Sequence, residues 1–241
     1  MKTTGLLAAL VFIVGIVAAG AMESAGTTTA AARVAILAAD ADHTAATKSV
    51  RFTISVKTKG RQSVVVTGVE DFVGHAVEIN VGPWTERFVG NAVYLHGVAA
   101  RPLPAGKSWV LLSATPVRPD RPDASRFLTA VRAVRNIKVV GNPKLAGVDV
   151  TEYSASVDVA RVAFLAGVDN PKGVTAKVWV DGSKRIRQLE IDLRTAGADQ
   201  TTVLELSGFG RQSPVTAPPA DQVVPEAQAP GYRQSVTAVP G

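Results

Sequence analysis

Alternating apolar and polar residues run along most of this chain and predict β-strands. In the first such stretch Val50, Phe52, Ile54 and Val56 alternate with polar side chains. Successive side chains of a strand point to opposite faces, so this pattern gives one apolar face and one wet face. The same pattern, or a short apolar run typical of a strand, recurs at residues 62–72, 77–81, 84–88, 93–95, 109–112, 137–140, 148–156, 174–180, 189–193 and 202–206. Short turns join most of these stretches, which indicates an antiparallel sheet.

Three stretches instead have apolar residues at helical spacing. The first begins at the hydroxyls of Thr27–Thr29 and runs to about Thr47, and the second runs from Ala124 to Val134 behind Pro122-Asp123. A short third helix is predicted after Asp158, which would cap it. The sequence therefore predicts an α+β fold, in which a large curved antiparallel sheet has its apolar face covered by three helices.

The N-terminus has the layout of an export signal. Lys2 precedes an uncharged apolar run, Leu6 to Ala21, that ends in the small residues Ala19-Gly20-Ala21. These features are typical of a cleaved secretory signal. The run is also close to the ~20 residues that cross a bilayer, so an uncleaved anchor is the alternative. We favour cleavage before Met22, and both alternatives predict an exported, periplasmic or cell-envelope protein.

The chain divides into four parts by these patterns. Residues 1–21 form the signal or anchor, and residues 22–48 form a helix that leads into the domain. Residues 49–213 form the sheet domain, and residues 214–241 form a Pro-rich tail that is expected to be extended or disordered. The tail has almost no large apolar side chains with which to build a core.

Composition and motifs argue against several classes of function. The chain has no cysteine, which excludes disulfides and thiolate metal sites, and its net charge is +6. The charge suits anionic lipid headgroups or cell-wall polymers, or it serves solubility alone; no basic run interleaved with aromatics indicates a nucleic-acid partner. His43, His75 and His96 are scattered, without metal-ligand spacing. We therefore predict no enzyme activity, no catalytic or metal site and no cofactor.

Three short runs carry a resemblance to a known family. They are Trp179-Val180-Asp181, Ser207-Gly208-Phe209-Gly210 and Ala217-Pro218-Pro219-Ala220-Asp221. Their order resembles the C-terminal half of the LppX/LprA/LprF/LprG family of actinobacterial cell-envelope lipoproteins, and the likeness extends loosely upstream to Ser49. The resemblance implies a half-barrel with a lipid-holding cavity, similar to the carriers LolA and LolB. The family's signal ends at a lipidated cysteine, whereas Ala21 stands here, so this position cannot be acylated.

The resemblance therefore implies a protein that binds the acyl chains of a lipid or glycolipid. Burying methylenes yields ~0.8 kcal/mol each, so affinity needs no polar motif. The expected lining is Phe52, Ile54, Val77, Ile79, Phe88, Leu95, Leu128, Val131, Phe164, Leu165, Leu189, Ile191 and Leu193. Composition by itself favours an ordinary packed core instead. The alternative function is a cavity-less cell-envelope module that binds a protein or a cell-wall polymer through the Pro-rich tail and basic surface. The expected partners are an acylated lipid and a membrane surface, with the protein acting as a monomer.

Overall fold

The structure is a computed structural model that describes residues 29–59, 63–97, 102–112, 122–162, 165, 173–195 and 199–229. The expected signal at 1–21, with Ala21, lies outside these ranges. So do Phe164 of the expected lining and the last twelve residues of the tail, 230–241.

One sheet organises the described part of the chain, where thirteen strands are present. Their bounds are β1 Ser49–Thr58, β2 Val64–Asp71, β3 Ala76–Val81, β4 Trp84–Val89, β5 Ala92–His96, β6 Trp109–Leu111, β7 Val134–Gly141, β8 Lys144–Leu145, β9 Val148–Val157, β10 Gly173–Asp181, β11 Ile186–Arg194, β12 Asp199–Ser207 and β13 Val223–Pro225. The order across the sheet is β13-β6-β5-β4-β3-β2-β1-β12-β11-β10-β9-β7, and β8 pairs with β9. In the described chain the sheet stays open, with β13 and β7 at its two ends, which agrees with the predicted large antiparallel sheet.

The alternation read from the sequence accounts for the buried face of the sheet. In β1, Phe52 and Ile54 are 1% and 2% exposed. They pair with Leu206 and Leu204 of β12, which are equally buried, so apolar side chains lie side by side across the strands. Charged residues occupy the opposite face, where Lys177 of β10 and Glu190 of β11 form an ion pair of 2.8 Å. The two helices cover the apolar face, which corresponds to the concave face of the predicted half-barrel.

Two α-helices lie within the described ranges, α1 at Ala30–Ala45 and α2 at Ala124–Val131. Their caps are as predicted: the Thr29 hydroxyl accepts from the Ala32 N–H at 3.2 Å, and the Asp123 carboxylate accepts from the Arg126 N–H at 2.9 Å. α2 ends before the predicted Val134, because that residue begins β7. None of the helices in the described ranges has the length and apolar character needed to cross a bilayer.

The prediction of a third helix is wrong for the residues that the structure describes. The chain makes a 3-10 turn at Val159–Arg161, returns to extended backbone at Val162, and is again in 3-10 conformation at Leu165. Asp158 does not cap it, because its carboxylate instead accepts from the Arg135 guanidinium at 2.6 Å. A carboxylate that also binds an arginine is a weaker cap for the first-turn N–H groups, which disfavours a longer helix.

The Pro-rich tail is extended where it is described, and it ends by joining the sheet. The Gln212 N–H donates to the Ser49 hydroxyl at 3.2 Å, and the Arg87 guanidinium donates to the Thr216 carbonyl at 3.4 Å. After a 3-10 turn at Ala220–Gln222, β13 runs parallel to β6. Val224 is 1% exposed and belongs to the core. The tail thus connects the middle of the sheet to its far edge.

Candidate functional site

The expected lining residues come together in one apolar cluster on the concave face. Each one that the structure describes is at most 8% exposed and belongs to the same cluster. By element they are Phe52 and Ile54 on β1, Val77 and Ile79 on β3, Phe88 on β4, Leu95 on β5, Leu128 and Val131 on α2, Leu165 beyond the 3-10 turn, and Leu189, Ile191 and Leu193 on β11. We call this set, with the buried apolar residues around it, the concave cluster.

Sequence reasoning missed several members of the concave cluster. Leu37 and Ala41 of α1 are fully buried, and so are Val178 of β10 and Leu204 of β12. The signal for each of them was present: the strand residues lie on the apolar face of an alternating stretch, and the α1 residues lie four apart on one side of a helix. The cluster therefore continues from the strands into both helices.

The concave cluster has only one kind of chemistry to offer a ligand. Its side chains are aliphatic or phenyl groups, which make dispersion contacts and exclude water but orient nothing through hydrogen bonds. Among the described residues no group of three or more His, Cys, Asp or Glu could hold a metal ion. A hydrocarbon chain is the ligand type that such a surface suits.

A pocket of about 210 Å³ adjoins the concave cluster where β9 begins and β10 ends. Its lining is Asn142, Asp149, Val150, Thr151, Tyr153, Val180, Asp181, Gly182 and Lys184. Val180 is a member of the cluster, and Tyr153 packs against it, so the pocket borders the apolar interior directly. Burial, and after it the negative charge of Asp40, raises the pKa of the Tyr153 phenol, which stays protonated as a donor.

Asp40 of α1 is a buried carboxyl group near this pocket that the sequence did not reveal. It is 4% exposed, and its Oδ2 has no hydrogen-bond partner among the described residues. Burial raises the pKa of Asp40, although Lys184 and His43 act in the opposite direction. One turn later Thr44 donates its hydroxyl to the Asp40 carbonyl at 2.7 Å and accepts from the Ile186 N–H at 2.9 Å. This arrangement fixes α1 to β11.

Asp40→Asn is expected to stabilise the domain at neutral pH. Because the folded pKa lies above the unfolded one, the folded state binds the proton more tightly, and stability from this group is lost as pH rises through the folded pKa. The neutral asparagine removes that loss. Thermal denaturation should give a higher Tm for Asp40→Asn at pH 7 than for the parent, with the difference shrinking below the ordinary aspartate pKa of 3.8. An equal or lower Tm at pH 7 would contradict a destabilising buried charge.

Arg185 and Arg187 bridge two of the runs that carry the family resemblance, because both contact Asp181 and Phe209. The buried Asp181 carboxylate accepts from the N–H groups of Ser183 and Arg185, at 2.9 and 3.1 Å, and so orders the β10–β11 turn. The guanidinium groups of Arg185 and Arg187 lie 4.8 and 5.2 Å from the ring centroid of Phe209. Cation–π contacts of this kind hold the start of the tail against the sheet. The motif residues therefore have structural roles.

The comparison with solved structures gives the fold class. Lipoprotein LppX of Mycobacterium tuberculosis aligns with a TM-score of 0.50 and 17% identity over 75% of this chain and 98% of that one. LprF of Mycobacterium bovis scores 0.46 at 12% identity, over 77% and 96%. A LolA superfamily protein of Nitrosomonas europaea scores 0.32 at 10% identity, over 76% and 97%. No protein-family profile matches the sequence, and no curated protein matches it significantly. The likeness to LppX confirms the fold that the sequence resemblance predicted.

Proposed function

We propose that this protein binds the acyl chains of a cell-envelope lipid or glycolipid in the concave cluster and carries or presents them. The observation that carries the proposal is the concave cluster itself, which runs without interruption from the sheet into both covering helices. The fold shared with a lipoprotein, LppX, supports the same reading. A chain of about 14 methylenes buried there would gain on the order of 10 kcal/mol before the entropy cost of binding.

Entry of a chain requires the covering helices to move away from the sheet. Several polar contacts also hold them. Besides the Thr44 link, the Arg33 guanidinium donates to the Ile137 carbonyl at 3.3 Å, and Ser125 of α2 donates to the buried Glu70 carboxylate of β2. Arg132 joins α2 to Asp42 of α1 at 2.5 Å, so the two helices are tied to each other. The helices are attached to the sheet mainly through their apolar faces. An acyl chain can take the place of the sheet against these faces, because it offers similar apolar contacts.

The test is the uptake of a fluorescent fatty acid. The parent protein should show saturable binding, and Ile191→Trp, which fills the space a chain would occupy, should weaken it roughly tenfold or more. The control is Val65→Trp, because Val65 is 51% exposed and lies outside the concave cluster. Native mass spectrometry of protein isolated from its own cell envelope would then identify the lipid. Absence of saturable uptake by folded parent protein would contradict the proposal.

A cell-envelope interaction module is the second candidate. A groove of about 260 Å³ on the outer face favours it, lined by Val69, Glu78 and Arg87 of the sheet and by tail residues 212–216. The Pro-rich tail forms one wall of this groove, so a partner would meet tail and sheet together. A pull-down that retains a protein or cell-wall polymer equally well with Ile191→Trp would support the module. Loss of the partner together with acyl uptake would support lipid carriage.

We also propose that the protein is exported and that residues 1–21 are removed. The short side chains at Ala19 and Ala21 suit a signal peptidase. N-terminal sequencing of protein from the cell envelope should then begin at Met22, and the protein should wash off membranes without detergent. Recovery of intact Met1 in a detergent-extracted fraction would instead show an anchor.

A further inference from the structure

Two neighbouring valines are exposed on an edge strand of the sheet. Val139 and Val140 of β7 are 51% and 56% exposed. The pairing of β7 with β9 shifts register between Arg135 and Lys138 and again between Val139 and Gly141. Such bulges break the strict alternation of side chains, so that two consecutive valines can both face water. Exposed apolar pairs on an uncovered edge favour contact with a partner.

Helix α1 extends this apolar surface. Arg33 of α1 contacts β7 through its bond to the Ile137 carbonyl at 3.3 Å. Ile36 lies three residues further along α1, on the same side as Arg33, and is 40% exposed. We define the α1–β7 edge as Arg33, Ile36, Lys138, Val139 and Val140.

The α1–β7 edge includes part of a basic stretch of the sequence. Between Ala124 and Val148 there are five basic residues and no acidic one. Carboxylates from other segments pair with three of them, in the ion pairs Arg132–Asp42, Arg135–Asp158 and Lys144–Asp149. Lys138, exposed beside Val139, adds its charge to that of Arg33. A protein surface that combines apolar side chains with cations is attracted to an anionic lipid bilayer.

The position of the apolar run in the sequence points to the same end of the domain. Residues 22–28 separate the apolar run, 6–21, from Thr29, which caps α1. Seven residues span at most about 25 Å, and Arg33 lies about one turn beyond the cap. Until the run is removed, any bilayer that holds it is therefore within that distance of the start of α1.

We propose that the α1–β7 edge docks on the surface of an anionic lipid bilayer, with the valines and Ile36 among the acyl chains and Lys138 and Arg33 at the headgroups. The proposal rests on the proposed function for its purpose, because a lipid carrier must meet a membrane. Val139 pairs directly with Tyr153 of β9, which packs against the concave cluster. The docked edge is thus one strand away from the interior that would receive the chain.

The absence of cysteine makes the test direct. In the chain that begins at Met22, Val139→Cys carries an environment-sensitive fluorophore, and Val65→Cys, matched at 51% exposure, is the control. Phosphatidylcholine vesicles with phosphatidylglycerol should shift the emission at position 139 to shorter wavelength and leave position 65 unchanged. Vesicles without phosphatidylglycerol, or high salt, should reduce the shift. Because this chain lacks residues 6–21, attachment through them cannot imitate this result.

The variant Lys138→Glu separates docking from ligand binding. It should lower the apparent vesicle affinity reported by the label roughly fivefold or more, because a cation near the anionic surface is lost and an anion replaces it. Acyl-probe uptake in solution should stay unchanged, since Lys138 lies outside the concave cluster. Equal shifts at positions 139 and 65, or no shift at 139, would overturn the docking proposal. If the parent protein takes up no acyl probe, the proposed function is overturned instead.

Discussion

Gly68→Ala is expected to destabilise the domain by about 3 kcal/mol. Gly68 of β2 lies directly opposite Phe52 of β1, and a Cβ added there would stand 2.3 Å from the Glu78 carbonyl oxygen and 2.3 Å from Phe52 Cζ. One obstacle is backbone and the other is a ring only 1% exposed, so neither can move without disturbing the sheet. Chemical denaturation should show a lower midpoint with an unchanged slope.

Gly173→Ala is the matched control for this substitution. Gly173 also lies in a strand, at the start of β10, and a Cβ there would meet nothing within 4 Å. Its free energy of unfolding should stay within about 1 kcal/mol of the parent value, since only the unfolded chain loses freedom. If both alanine variants unfold at the same denaturant concentration, the contact between Phe52 and Gly68 is not what limits this position.

Removal of residues 214–241 is expected to cost about 4 kcal/mol. The deletion takes away β13 and with it Val224, whose burial is worth about 2 kcal/mol. It also removes the bonds from Lys107 to the Asp221 carbonyl at 2.7 Å and from the Ser108 N–H to the Gln222 carbonyl at 2.9 Å, each worth about 1 kcal/mol. Val110 of β6, fully buried now, would face water. Thermal unfolding should move to a clearly lower Tm.

The control is a shorter deletion, of residues 230–241, which leaves every described contact of the tail in place. This variant should unfold close to the parent. A long deletion that is as stable as the short one would show that β13 adds nothing to the sheet, and that the tail is bound to it without stabilising it.

The long strands were predictable because each one carries its own signal. Alternation such as that of Val50, Phe52 and Ile54 is local, and the structure keeps it. The third helix failed because the capping residue, Asp158, was engaged by Arg135, a partner 23 residues away that no local pattern shows. β13 was missed for a similar reason: three residues ending in Pro225 become a strand only because β6 lies beside them.

The candidate site likewise has parts that the sequence predicts and parts that it does not. The expected lining residues could be chosen from the alternation of the strands and the apolar positions of the predicted helices, and all that are described are buried. Whether an acyl chain enters among them depends on packing, which residue patterns do not specify. Asp40 was missed although it shares a helical stripe with Leu37, Ala41 and Thr44. The available signal was a carboxylate within an apolar stripe. It was easy to overlook, because the residues around it in this Ala-rich helix have short side chains.

The pairing at the middle of the sheet has a consequence for how the chain folds. β1 pairs with β12, so that Arg51 lies opposite Ser207, and this pairing must close a loop of nearly the whole domain. Contacts so distant in sequence make folding slow, because the entropy of closing the loop is lost before the contacts form. The strands made first must wait, with one edge unpaired, until the last long strand has been synthesised. Late closure of this sheet would leave time for the passage through a membrane that the export proposed above requires.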